Sequence, residues 1–287
     1  MQKPWFHRIS TLLIVGLLVG SHGCETLKLR VSDPELQSII AAKTGADVNI
    51  RNFSSNNRSI RYATVGDASN PPLVLLHGSP SSLSGWRSLY TDTNFTNKYY
   101  LILIDRPGYG FSQFGNVVTS IAEQAALVND ILKELQLRQP ARILGSSYGG
   151  PVALQAAMQA PDLYNQIVLL SASVKPSAEK VYDISYLMVV PVIEWLFPKV
   201  FTMASKEKLS HSKELEKITD WQKIKSPVTI LHGDADELIY YENALYAQEN
   251  LAPHTSVDLI TLKNKGHALI FSEPDYLKAL LLLYLQQ

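Results

Sequence analysis

The chain has 287 residues, 46% of them hydrophobic and 18% charged, a balance that fills a buried core and excludes intrinsic disorder. Lys plus Arg and Asp plus Glu are equal at 26 each, so no global field recruits nucleic acid or a strongly acidic partner. A small, mostly uncharged substrate suits this balance better.

Residues 1–24 read as an export signal rather than as part of the fold. Lys3 and Arg8 precede an uncharged apolar run, Ile9 to Gly20. At about 12 residues it is short of the roughly 20 needed for a spanning helix. The small residues Ser21 and Gly23 stand just before Cys24 and mark a cleavage point. Cys24 is the only cysteine, so the chain forms no internal disulfide. The arrangement resembles a bacterial lipoprotein signal, in which that cysteine is lipid-modified, although Ser21 stands where such signals usually carry Leu. Three readings stay open: a lipid-anchored protein of the bacterial cell envelope, a soluble periplasmic or secreted one, and a short uncleaved anchor or buried helix.

Residues 25–287 read as one domain. A short helix opens near Asp33-Pro34, where Asp caps and Pro fits the first turn. Ala46 to Phe53 and Ser59 to Val65 form a hairpin-like pair of strands around a polar Ser/Asn stretch. Leu73 to Leu76 and Tyr100 to Ile104 are uninterrupted apolar strands of the kind buried on both faces of a parallel sheet. Between Thr119 and Leu137, apolar residues recur at Ile121, Ala125, Val128, Ile131, Leu132 and Leu135, the period of a helix. Arg142 to Gly145 is a strand feeding a Gly-rich turn and a helix through Met158. Ile167 to Leu170, Val228 to Leu231 and Val257 to Leu262 add strands, and Pro274 to Leu285 a final helix. This alternation implies a mostly parallel central sheet flanked by helices. An insertion at about 174–222 interrupts it. Its first part, Tyr182 to Met203, is apolar and aromatic, and Pro191 and Pro198 divide it into short helices, so it reads as a small helical cap over the sheet end. The alternatives are a packed helical layer with no ligand role and a membrane-associating patch.

The chemistry concentrates at strand ends. In Gly145-Ser146-Ser147-Tyr148-Gly149-Gly150, strand before and helix after, the glycines leave room for a strained turn that lifts Ser147 to the positive end of the helix. Ser147 is therefore the candidate nucleophile, and it needs a base. His267 follows the last strand and a short loop; His77, His232 and His254 compete, the first two better explained as loop anchors. The imidazole needs a carboxylate, for which Asp236 after Leu231 is preferred and Asp234 is the rival. His77-Gly78-Ser79-Pro80 follows a buried strand, so the Ser79 amide faces the Tyr148 amide across a candidate oxyanion hole. Trp86 is a pocket wall or core. Asp105 and Arg106, in a Gly/Pro-tight loop, read as braces rather than catalysts.

These motifs, in this order, resemble the α/β-hydrolase superfamily, in its branch of capped serine hydrolases with a His-Gly-x-Pro oxyanion loop. The resemblance runs from about Asp47 to the C-terminus and rests on residues 77–80, 105–110, 145–150, 233–236 and 266–267. It implies the α/β-hydrolase fold, with Ser147 as nucleophile, Asp236 as acid, His267 as base, and Ser79 and Tyr148 as oxyanion donors. Departures are Ser146 where relatives often have His, and Ile239-Tyr240 where they have Val-Pro. The implied activity is hydrolysis of small to medium hydrophobic carboxylic esters with no cofactor and no metal. The rivals are carbon-carbon bond or amide hydrolysis on the same triad and a non-catalytic surface protein retaining the fold. A charged substrate would call for polar groups in the cap, where Tyr182 to Met203 offers only Asp183, Glu194 and Lys199.

Overall fold

The computed structural model describes residues 29–285 except 56, so the export signal and Cys24 lie outside the described residues. After helix α1 (Asp33–Thr44), strands β1 (Val48–Ser55) and β2 (Arg58–Val65) form the antiparallel hairpin read from the sequence. Strands β3 (Pro72–Leu76), β4 (Tyr100–Ile104), β5 (Ala141–Ser146), β6 (Tyr164–Leu170), β7 (Val228–Gly233) and β8 (Val257–Leu262) complete an eight-stranded sheet. Its order is β1-β2-β4-β3-β5-β6-β7-β8, with β2 antiparallel to β4 and every later pairing parallel. This is the α/β-hydrolase fold.

The apolar runs are continuous because both faces of the sheet are covered. Along β3, Val74 and Leu76 join the core on one face while Leu73 and Leu75 join the other. On β4, Ile102 and Ile104 divide from Leu101 and Leu103 in the same way. Helices α2 (Ile121–Leu135), α3 (Gly149–Gln159) and α6 (Glu242–Leu251) pack on the first face. Helix α1, the short turns between Leu83 and Thr96, and α7 (Pro274–Tyr284) pack on the second. Helix α2 starts where Ser120 accepts a hydrogen bond from the Glu123 amide, a cap its sequence supplies locally.

Between β6 and β7 the chain leaves the sheet and forms α4 (Ile184–Met188) and α5 (Lys199–Leu215). Pro191 lies in the turn between them and Pro198 immediately precedes α5, because neither can continue a helix already under way. This layer crosses the carboxyl ends of β3, β5 and β7. Among the described residues no helix is long and apolar enough to cross a membrane.

Core and cap differ in what one side chain contributes. Ile143→Ala, at a fully buried position in β5, is expected to lower stability by about 2–5 kcal/mol. Val192→Ala, at a cap residue 79% exposed, is expected to change it by less than about 0.5 kcal/mol. Urea unfolding of both variants checks the contrast.

Candidate active site

Ser147 stands on the turn from β5 into α3 at φ 52°, a left-handed conformation that a serine adopts only under constraint. The constraint is close backbone approach. A Cβ on Gly145 would lie 2.3 Å from the Gly149 carbonyl oxygen, and one on Gly149 would lie 2.3 Å from the Leu76 carbonyl oxygen. The Ser147 amide donates to the Leu170 carbonyl at 2.9 Å, and the Ser147 carbonyl accepts from the Gly150 and Ser173 amides. The hydroxyl is thereby fixed at the carboxyl edge of the sheet, where the ends of β3, β7 and β8 also deliver their loops.

His267 arrives on the loop after β8 and Asp236 on the loop after β7. His267 Nδ1 lies 2.8 Å from Asp236 Oδ2, and His267 Nε2 lies 3.2 Å from Ser147 Oγ. An ionised carboxylate only accepts, so the imidazole proton is on Nδ1, and Nε2 is left to accept from the serine hydroxyl. Asp236 Oδ1 accepts from the Leu238 and Ile239 amides at 3.0 and 2.8 Å. Burial works to raise the Asp236 pKa, but the bond and charge interaction with His267 and the two amides outweigh it and hold the group below its ordinary value. Asp234, the rival, instead accepts from the Asn264 amide and ties its turn to the loop after β8. His232 donates through Nε2 to the Ile239 carbonyl at 2.9 Å, and His77, in the loop after β3, accepts at Nε2 from the Arg106 amide; both are buried anchors. His254 forms none of these contacts with Ser147 or Asp236.

Ser79 and Tyr148 line the same cavity as Ser147, and among the described residues neither backbone amide donates to an acceptor. A Cβ on Gly78 would lie 2.9 Å from the Ser147 Cβ, so this loop approaches the hydroxyl as closely as glycine permits.

What holds that loop was not legible in the sequence. Arg106, 1% exposed, donates through Nε to the His77 carbonyl at 2.8 Å and through Nη2 to the Gly78 carbonyl at 3.1 Å. Its guanidinium also pairs with Glu207 of α5 at 2.7 and 3.2 Å. Burial opposes the charge on Arg106, and Glu207 more than restores it. Burial and the nearby Glu207 push the Tyr109 phenol well above its ordinary range, so it stays protonated and donates to Glu207 at 2.7 Å. The Ser79 hydroxyl, 2.8 Å away, then donates to the Tyr109 oxygen. Glu207 thus joins the cap helix to the loop of residues 77–79, through Arg106 to His77 and Gly78 and through Tyr109 to Ser79. Asp105 is a brace as read, accepting from the Leu83 and Phe111 amides and from Arg61.

Two cavities meet at Ser147. The larger, about 340 Å³, lies beneath the cap and includes Ser79, Tyr148, Met188, Phe201 and Ile239 in its wall. The smaller, about 190 Å³, is bounded by His267, Trp86, Ile270 and Phe271. Trp86 is therefore both core, at 1% exposed, and pocket wall. The cap chain divides: Tyr182, Ile184, Met188 and Phe201 line the larger cavity, while Val192, Trp195 and Leu196 face outward. The stretch Tyr182 to Met203 offers only Asp183, Glu194 and Lys199 as charged groups, and the charged lining of the cavity comes from outside it. None of those lines the cavity; Glu179 and Lys180 from the chain before α4 do, and so does Lys208, because α5 runs well past Met203 and turns a later residue inward.

Residues 71–201 match the family model described as alpha/beta hydrolase fold. An uncharacterized hydrolase of Bacillus subtilis (strain 168) is 33% identical over 125 residues, covering 43% of this chain and 45% of that protein. A 2-hydroxy-6-oxononadienedioate/2-hydroxy-6-oxononatrienedioate hydrolase of Paraburkholderia phymatum is 33% identical over 132 residues, 45% of each chain. The chain thus spans about half the length of the curated relatives it matches. The structure of an esterase from Exiguobacterium antarcticum superposes with a TM-score of 0.65 at 18% identity, covering 82% of this chain and 98% of that one. At that identity the likeness is one of fold.

Removing the cap's buried charge tests the Glu207 junction. Glu207→Gln leaves the Arg106 guanidinium buried without its counter-ion and is expected to cost about 3–5 kcal/mol of stability, read as a lower urea midpoint.

Proposed function

We propose that this chain, which belongs by its fold to the alpha/beta hydrolases, hydrolyses carboxylic esters with small to medium hydrophobic acyl groups through an acyl-enzyme on Ser147. The observation that carries the reading is the hydrogen-bonded chain Ser147–His267–Asp236 at the junction of two largely apolar cavities.

Ser147 Oγ attacks the ester carbonyl carbon as His267 Nε2 takes its proton. The resulting imidazolium is stabilised by Asp236, which already accepts the Nδ1 proton. Negative charge developing on the carbonyl oxygen is met by the unengaged Ser79 and Tyr148 amides. His267 then returns its proton to the leaving alkoxide, so the alcohol departs on the side that His267 lines, the smaller cavity. The acyl part remains in the larger cavity under the cap. Water repeats the steps and frees the acid. A volume of about 340 Å³ is near the lower end of ligand cavities, roughly 300–1,000 Å³, which favours small to medium acyl chains over long ones.

A second reading, carbon-carbon bond hydrolysis on the same triad, is favoured by the Glu179–Lys208 pair in the acyl cavity and by the named activity of the Paraburkholderia relative. Hydrolysis of a p-nitrophenyl ester series decides between them. Ester turnover with an optimum at short to medium acyl chains, lost in Ser147→Ala, is the expected result; no ester turnover alongside cleavage of a 2-hydroxy-6-oxo dienoate would favour the second reading. Asp236→Asn supplies the wrong imidazole tautomer and is expected to lower kcat by about 10⁴-fold.

The localisation reading belongs to the same proposal: residues 1–24 direct export, and Cys24 carries the lipid that holds the enzyme at the bacterial cell envelope. Intact mass of protein extracted from membranes is expected to show added acyl mass; an unmodified mass would leave a periplasmic or secreted form or, with the first residues retained, a short uncleaved anchor or buried helix.

A further inference from the structure

One polar feature of the acyl cavity takes no part in the proposed chemistry. Helix α5 turns Phe201, Ala204, Ser205 and Lys208 toward the cavity, the spacing of one helical face. Its opposite face carries Val200, Met203 and Glu207 into the buried junction with Arg106 and Tyr109. Lys208 is therefore aimed at the ligand space by the same helix geometry that buries Glu207.

The Lys208 ammonium pairs with Glu179 Oε2 at 2.7 Å, with side-chain exposures of 19% and 8%. An ammonium has three donors, and among the described residues Glu179 is the only acceptor this one has. Burial lowers the Lys208 pKa against the opposing pull of Glu179. Glu179 also accepts from the Ser173 hydroxyl at 3.0 Å, which fixes it from the β6 side. The wall thus presents an under-used donor beside a carboxylate acceptor, with the Ser185 and Ser205 hydroxyls nearby in the same lining. The buried pair itself carries no net charge; Lys180, the third charged residue of the lining, is exposed with its ammonium 5.2 Å from the Tyr182 ring centre. A carboxylate placed there would add negative charge beside Glu179, and an ammonium would add positive charge beside Lys208. An uncharged group that donates and accepts at once suits both partners.

Resting on the ester reading and its assignment of the cap cavity to the acyl part, we infer that the Glu179–Lys208 pair selects hydroxylated acyl groups, with the substrate hydroxyl accepting from Lys208 and donating to Glu179. The pair determines specificity and touches no reacting atom. The pair is tied to Ser173, whose amide also bonds the Ser147 carbonyl, so the recognised hydroxyl is one that the acyl chain carries within this cavity.

The test compares ethyl hexanoate, ethyl 6-hydroxyhexanoate and monoethyl adipate, which share a leaving group and chain and differ at the far end. Binding to the Ser147→Ala protein is measured by calorimetry, and kcat/KM on wild type by pH-stat titration. A hydroxyl bonded to two charged groups is expected to tighten binding about tenfold over the plain ester, and to exceed the adipate ester by at least as much. The double substitution Lys208→Met with Glu179→Met leaves no unpaired buried charge and is expected to bring the ratio of hydroxylated to plain ester near one. Tighter binding of the hydroxylated ester with no turnover of any ester would support the pocket assignment while removing the ester reading. Equal binding, tighter binding of the plain or adipate ester, or a preference that survives in the double variant would overturn the inference, whatever the turnover.

Discussion

The site depends on one tight backbone crossing. β5 enters α3 through a turn in which Gly145, Gly149 and Gly150 bring backbone against backbone, and Ser147 takes the left-handed conformation that remains. Parallel pairing of β3, β5 and β6 in register then brings Leu76, Gly145 and Leu169 level, so the loops that follow open onto the same edge. Without that crossing the hydroxyl would lie among the α3 side chains rather than between two cavities. The strain is local, and the apolar faces of a fully covered sheet hold it in place.

A second dependence runs through charge. Arg106 and Glu207 are both removed from water, an arrangement that persists only because each is saturated with hydrogen bonds. Arg106 spends its remaining donors on the His77 and Gly78 carbonyls, which fixes the loop that approaches Ser147. Because Glu207 belongs to α5, the cap is not a detachable lid on the described residues but a buttress of the loop after β3. The same helix presents Lys208 to the cavity one residue on. Support of the loop after β3 and the polar character of the cavity beneath the cap are therefore coupled through the rotation of a single helix.

The strands, the hairpin, the long helices and the Pro-divided cap follow from patterns that act over a few residues: apolar runs, a 3.6-residue period, and residues that cannot continue a helix. Ser147, His267 and Asp236 were legible for a related reason, since each follows a buried strand in a loop that must emerge at the carboxyl edge. His77 and His232 also follow buried strands, yet the structure uses them as anchors. Sequence position delivers a histidine to the edge without aiming its ring.

What the sequence by itself determined is the fold and the identity of the residues delivered to the sheet edge, because strand burial and turn chemistry are local and additive. What only the tertiary structure decided is what those residues meet. Glu207 and Lys208 are adjacent in a Lys/Glu-rich stretch, and one becomes a buried counter-ion while the other enters the pocket. Their partners, Arg106 and Glu179, come from other parts of the chain, and the desolvation that gives these pairs their importance arises only when α5 packs across the sheet end. Burial of a charge is a property of the assembled surroundings, and no spacing along the chain encodes it.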